Sequence, residues 1–387
     1  MMHIDDFIKR NSSYFTELRR DIHQHPELGL EEFRTSRVVA DLLQTWGYDV
    51  TTGLAKTGLV ATIRNGSSNK VLGIRADMDA LPMQENSQKA WSSQISHKFH
   101  GCGHDGHTTT LLFFAKWLAE TKQFDGTIHL IFQPAEELLY GGKLMLDDGL
   151  FDRFPCDAIF ALHNMPNLKE GSFHFRKGAM LSSSDTVEIN IEGTGGHGAM
   201  PDKANDPVIV ACHIATALQS IVSRNVDPFQ PVVITIGSIQ SGCVANIIND
   251  SAQLKLSIRT LNPDTQKLVL KRIKEIAEFQ ALSFNATATV NHIHSSPTLV
   301  NDAEMTDFAI GVAQELFDES LVEPNTNPAM ASEDFAFMLE ANPKGCYFFV
   351  GAGEGCSVHN PGYDFNDAIM APAVKYWDKL VERFFNN

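Results

Sequence analysis

The chain has 387 residues, with 31 Lys plus Arg against 47 Asp plus Glu and a formal charge of −16, a balance that opposes nucleic acid and anionic membrane surfaces as partners. Single cores stop growing at ~250–300 residues, so two domains are expected. Six scattered cysteines, an N-terminus without an apolar signal core and no run approaching the ~18 apolar residues of a membrane span exclude a disulfide scaffold and point to a cytoplasmic location.

In chain order, EEFRTSRVVADLLQTWGY places Phe33, Val38, Val39, Leu42, Leu43 and Trp46 on one helical face, with Gly47 as the stop. Strand-like GLVATIR and KVLGIRADMDA follow. The stretch FHGCGHDGHTTT, residues 99–110, then leads into an apolar run from Leu111 to Leu118, and TIHLIFQPAEE and CDAIFALHNMP come after it. Short apolar runs alternating with helices predict an α/β layer with a mixed, largely parallel sheet flanked by helices. In such sheets chemistry collects at the carboxyl ends of the strands.

The pattern changes at about Ser182. SDTVEINIEG, PVVITIGSIQSG, AQLKLSIRTLN and NATATVNHIHSSP read as strands, and DPVIVACHIATALQSIVSR and DTQKLVLKRIKEIAEFQA as helices. The order strand, helix, strand, strand, helix, strand is the ferredoxin-like plan. An inserted domain over residues 182–296 is therefore expected, with a catalytic domain in two parts, 1–181 and 297–387. The second part reads as helix, strand (GCYFFVGA) and terminal helix.

Ligand-type side chains stand at strand ends or loop starts in four places: Cys102 and His104, Glu136 and Glu137, His163, and His359. Singly, each histidine reads as a structural residue and the Glu pair as a solvated helix start. Together, thiolate, imidazole and carboxylate form the ligand set of zinc, which manganese, cobalt and nickel tolerate, and they are too many for one tetrahedral site. Two metals are expected. Adjacent carboxylates point in different directions, so Glu137 can hold a metal while Glu136 stays free to move a proton from water to a leaving amine. The rival is a Cys102 nucleophile with His104 or His107 as base, which leaves the two glutamates, His163 and His359 without a role.

The motifs HPELGLEE, GIRADMDALP, HGCGHDGHTTTLL, FQPAEE, ALHNMP, GTGGHGAMP, MASEDFAFM and VHNPGYDFND, in that order, resemble the dimetal aminoacylase and carboxypeptidase family. The likeness is strongest to its amidohydrolase branch of hippurate hydrolases, auxin-conjugate hydrolases and N-acetyl-diaminopimelate deacetylases. The resemblance implies that Cys102, His104, Glu137, His163 and His359 ligate two divalent metals (Mn, Zn, Ni or Co) and that Glu136 is the general base and acid. It implies that His197 stabilises the oxyanion, often from a partner subunit, and that Asn246 and Arg259 bind substrate, with the inserted domain as lid and dimerisation element. Asp77 and Asp79 sit where carboxypeptidase-type relatives carry His-x-Asp; either Asp79 or Asp105 is a candidate acceptor for a ligand imidazole, and strand-end and helix-end structural roles weigh more heavily. Asp202 and Asn249 depart from the family's usual His and Pro, which bears on substrate preference rather than chemistry.

The expected activity is hydrolysis of N-acyl amino acids, a small-molecule substrate, by a homodimer paired through the inserted domain. The alternatives are a metal-dependent di- or carboxypeptidase and a non-catalytic metal- or ligand-binding protein on the same scaffold.

Overall fold

In the computed structural model, which describes residues 3–386, the apolar runs pair as one eight-stranded sheet. Its order is Asp49–Leu54, Gly58–Asn65, Gly126–Gln133, Val71–Asp77, Ala158–Met165, Gly345–Gly351, Phe173–His174 and Val322–Glu323. The four inner strands, 126–133 through 345–351, run parallel; antiparallel pairings flank them on both sides, and Val322–Glu323 closes one edge parallel to Phe173–His174. Parallel strands are covered on both faces. Every residue of Gly126–Gln133 and of Gly345–Gly351 is accordingly buried.

This sheet belongs to a unit that takes in residues up to Gly178, Val300–Asn327 and everything from Asp334 on. Its helices include Ile4–Gln24, Phe33–Thr45, His104–Thr121, Ala303–Leu316, Phe335–Ala341 and Met370–Asn386. The His104–Thr121 helix is buried almost all round from His104 to Leu118, which is why it reads as an apolar run and not as a stripe. Phe15 stacks on its Phe113 at 4.3 Å between ring centroids, and Phe7 packs on its Trp117. The Phe33–Thr45 helix buries Thr35, Ser36, Val39, Ala40 and Leu43. Phe33, assigned to the buried face by periodicity, is instead 53% exposed, under the Lys56 ammonium at 5.2 Å. It sits at the first helical position, where the chain is still entering the layer.

The second unit, Ala179–Leu299 with Pro328–Glu333, holds a four-stranded antiparallel sheet in the order Val232–Gln240, Ser251–Thr260, Ser184–Glu192, Thr287–Ser296. Two helices, Pro207–Arg224 and Pro263–Leu282, begin on Asp206 and Asn262 side-chain caps followed by proline, the residue preorganised for a first helical turn. Alternating burial along Ser251–Thr260 gives one apolar face, and Leu254, Leu256 and Ile258 pack with Ile214, Leu218, Val269 and Ile273. This is the ferredoxin-like arrangement. By length and composition Pro207–Arg224 could cross a membrane, although no such run was expected from the sequence; its apolar face is spent on its own sheet.

Candidate metal centre

Three carboxyl ends of the parallel strands meet at the start of the His104–Thr121 helix. Asp77 closes the 71–77 strand, the 126–133 strand runs into Pro134 and the glutamates, and His163 lies near the end of the 158–165 strand. Cys102 and His104 are delivered by the loop before the helix, and both are buried. His359, in the left-handed region at φ 63°, is pinned there by its amide donating to Gly101 O at 2.7 Å. Parallel topology thus gathers residues that are far apart in sequence.

The glutamates do not begin a solvated helix. Residues 136–139 form a turn, entered through Ala135 at φ 54° and closed by Leu139 N donating to Glu136 O at 2.6 Å. Glu136 is buried, and the Glu137 amide donates to Asp79 Oδ2 at 2.9 Å.

Tautomers follow from hydrogen bonds. His163 Nδ1 donates to the Asn164 carbonyl at 2.6 Å, leaving Nε2 free of its proton and 3.4 Å from Cys102 Sγ. His104 Nδ1 lies 3.1 Å from Asp79 Oδ1, so its Nε2 is also turned inward, 3.8 Å from Glu136 and 4.0 Å from Glu137. A second group that fixes the outer nitrogen is the usual partner of a ligand imidazole. His359 Nε2 stands 3.3 Å from Glu137 Oε1.

Ligand atoms of Cys102, His104 and His163 lie within 4.8 Å of one another, as do those of Cys102, Glu137 and His359, and those of His104, Glu136 and Glu137. Cys102 belongs to two of these groups. His104 Nε2 is buried without a hydrogen-bond partner, a costly state for an atom with nothing to bind. Burial, then the carboxylates of Glu137, Glu136 and Asp77, push the Cys102 thiol well up, which opposes a free thiolate nucleophile. Burial works against charge on His104, yet Asp77, Asp79 and Glu137 hold it up to about 10. Crowded acids around a thiol and inward-facing imidazoles fit divalent cations.

His107 is drawn out of the ligand set. Its Nδ1 lies 2.7 Å from Asp77 Oδ1, and its Nε2 lies 2.7 Å from Asn164 Oδ1 and 3.0 Å from the Asn164 amide nitrogen, so neither nitrogen is left for a metal or for a base. Asp105 turns away from the centre, toward Arg19 at 3.2 Å and His23 at 2.8 Å. The acceptor for the His104 imidazole is Asp79.

His197, Asn246 and Arg259 belong to the other unit. His197 lies on the short Gly196–His197 strand, which pairs with Ile247–Ile248 directly after Asn246; the Gly198 amide donates to Asn246 O at 2.8 Å. Both side chains are exposed. His197 Nδ1 accepts the Ala199 amide at 3.0 Å, which leaves the proton of the neutral ring on Nε2. Arg259, half-buried on the Ser251–Thr260 strand, donates to Ser332 Oγ.

Sequence reasoning assigned no role to Glu32, Arg19 or His23, all fully buried. The only signal was their place in and beside the HPELGLEE stretch.

The sequence model of peptidase family M20/M25/M40 matches residues 73–383. The chain is 44% identical over 370 residues to the hippurate hydrolase of Campylobacter jejuni, covering 96% of each. It is 35% identical over 366 residues to thermostable carboxypeptidase 1 of Saccharolobus solfataricus, covering 92% of this chain and 91% of that one. A dinuclear metal-binding M20 peptidase from Bacillus subtilis has a solved structure that matches at TM-score 0.86 and 28% identity, over 98% of this chain and 99% of that one. With sequence, fold and clustered donors in agreement, the chain belongs to peptidase family M20/M25/M40.

Proposed function

We propose that this protein is a metal-dependent amidohydrolase that cleaves the amide of N-acyl amino acids, hippurate-like substrates first among them. The observation that carries the reading is the convergence of Cys102, His104, Glu137, His163 and His359, with His104 Nε2 buried and without a hydrogen-bond partner, beside a second carboxylate, Glu136. In this reading the five residues would hold two divalent cations, manganese, zinc, nickel or cobalt. Bound there, such cations acidify water and polarise a carbonyl oxygen.

Glu136 takes the proton of the attacking water and returns it to the amide nitrogen as the C–N bond breaks, releasing a carboxylic acid and an amino acid. His197 offers its Nε2–H to the developing oxyanion, from the partner subunit of a homodimer paired through residues 182–296, which form the inserted lid. Asn246 and Arg259 receive the substrate carboxylate, for which a guanidinium fork is suited. The same reading places the enzyme in the cytoplasm. A second reading, a metal-dependent di- or carboxypeptidase, is favoured by the likeness to the Saccharolobus carboxypeptidases.

Hydrolysis of a panel of N-acyl amino acids and dipeptides, with chelation and metal add-back, tests both. We expect hippurate and its homologues to be cleaved faster than any dipeptide, activity to vanish on chelation and return with metal, and Glu136→Gln to lower kcat about 100- to 10,000-fold with metal content unchanged. Activity that survives both chelation and Glu136→Gln would sink the mechanism, and preference for dipeptides would favour the second reading.

A further inference from the structure

The HPELGLEE stretch supplies no ligand, base or substrate contact, yet it runs against both halves of the centre. On one side the Ala80 amide donates to Glu27 O at 2.8 Å, next to Asp79. On the other, the Ala135 amide donates to Glu32 Oε1 at 2.8 Å, next to Glu136. A β-carbon on Gly29 would stand 3.0 Å from Ala135 Cα, so the two segments touch.

Glu32 is unusual for its position. It stands immediately before the Phe33–Thr45 helix but makes no side-chain cap to it; Glu27 does so instead, accepting from the Arg34 and Thr35 amides at 2.9 and 2.8 Å. The Glu32 carboxylate turns inward, fully buried, and takes the Thr57 hydroxyl at 2.6 Å on one oxygen and the Ala135 amide on the other. Ala135 is the non-glycine residue at φ 54° that opens the glutamate turn, a conformation that costs roughly 1–3 kcal/mol and persists only where its surroundings over-determine it. Burial and the nearby Asp79 push Glu32 up to about 7, a heavy charge penalty for a group whose bonds both end on the protein itself.

We propose that Glu32 is a positioning residue: its reach to the Ala135 amide holds the left-handed turn that aims Glu136 and Glu137 into the centre. What matters is an acceptor oxygen at the right distance, not the charge. The inference rests on the reading of Glu136 as base and Glu137 as ligand.

Two near-isosteric variants separate reach from charge. Glu32→Gln keeps the oxygen and loses the charge; Glu32→Asp keeps the charge and withdraws it by one methylene. Each is titrated with cobalt(II) chloride, followed by visible absorption, and assayed on hippurate. We expect Glu32→Gln to match wild type within roughly threefold in both measurements. We expect Glu32→Asp to bind cobalt about 10- to 100-fold more weakly, with an altered spectrum, and to lose up to about 100-fold in kcat with KM little changed. A Glu32→Asp variant that binds cobalt and turns over like wild type, or a Glu32→Gln variant as impaired as Glu32→Asp, overturns the proposal. The cobalt arm needs no substrate, so failure of the wild type on hippurate would refute the substrate reading while leaving cobalt affinity and spectrum to decide this one.

Discussion

Asp79 receives two donors at once, the His104 Nδ1–H at 3.1 Å and the Glu137 amide at 2.9 Å, and so couples a candidate imidazole ligand to a candidate carboxylate ligand. An asparagine there keeps one acceptor oxygen and turns an NH2 toward the other donor. We expect Asp79→Asn to leave the fold intact and to weaken zinc binding, read by calorimetric titration, about 10- to 100-fold; unchanged affinity would reduce Asp79 to a strand-end residue. The cluster of Cys102, His104, Glu136, Glu137, His163 and His359 was legible because rare ligand types stood at successive strand ends. Choosing between Asp79 and Asp105 was not possible, because acceptors in a helix start and a strand-end turn look alike until the backbone is placed. Periodicity says nothing of which one faces the imidazole.

At the scale of elements, the strands at 58–65, 71–77, 126–133 and 158–165 were readable as continuous apolar runs, which is what two-sided burial produces. The strands at Phe173–His174 and Val322–Glu323 and the helix at Phe335–Ala341 were not, being too short to show a period. The His104–Thr121 helix offers a test in which propensity and packing disagree in sign. Gly106 lies in its first turn, and alanine there would gain up to about 1 kcal/mol of helix propensity. Its β-carbon, however, would fall 2.3 Å from the Phe365 ring, and overpacking a full core costs about 1–3 kcal/mol. We expect Gly106→Ala to be destabilising by about 1–2 kcal/mol in urea denaturation. A stabilised variant would mean that Phe365 yields freely.

Across the whole of the first unit, Arg19 ties the N-terminal helix to the opposite end of the chain, while His23 ties it to Asp105 and Glu85. Arg19, fully buried, reaches Asp105 at 3.2 Å, Asp364 at 3.0 Å and Asp367 at 2.8 Å, and His23 reaches Asp105 at 2.8 Å and Glu85 at 3.3 Å. Ion partners 348 and 345 residues apart leave no trace in local pattern, so the sequence presented these side chains only as polar positions near the N-terminus. His23 faces Asp105, Glu85, Arg19 and the His100 ring. Burial opposes its charge, but Asp105 and Glu85 hold it up to about 9 from an ordinary 6.5. A raised histidine stabilises the fold fully below its unfolded value and loses that contribution as pH climbs through the folded one. The unit should therefore lose stability between about pH 6.5 and 9, by up to about 3 kcal/mol. In His23→Gln, which keeps a donor but cannot titrate, that alkaline slope should largely disappear, leaving a lower and flatter curve in denaturation series taken at each pH. If wild type and His23→Gln decline in parallel across this window, the charge on His23 is not what holds the N-terminal helix against Asp105 and Glu85.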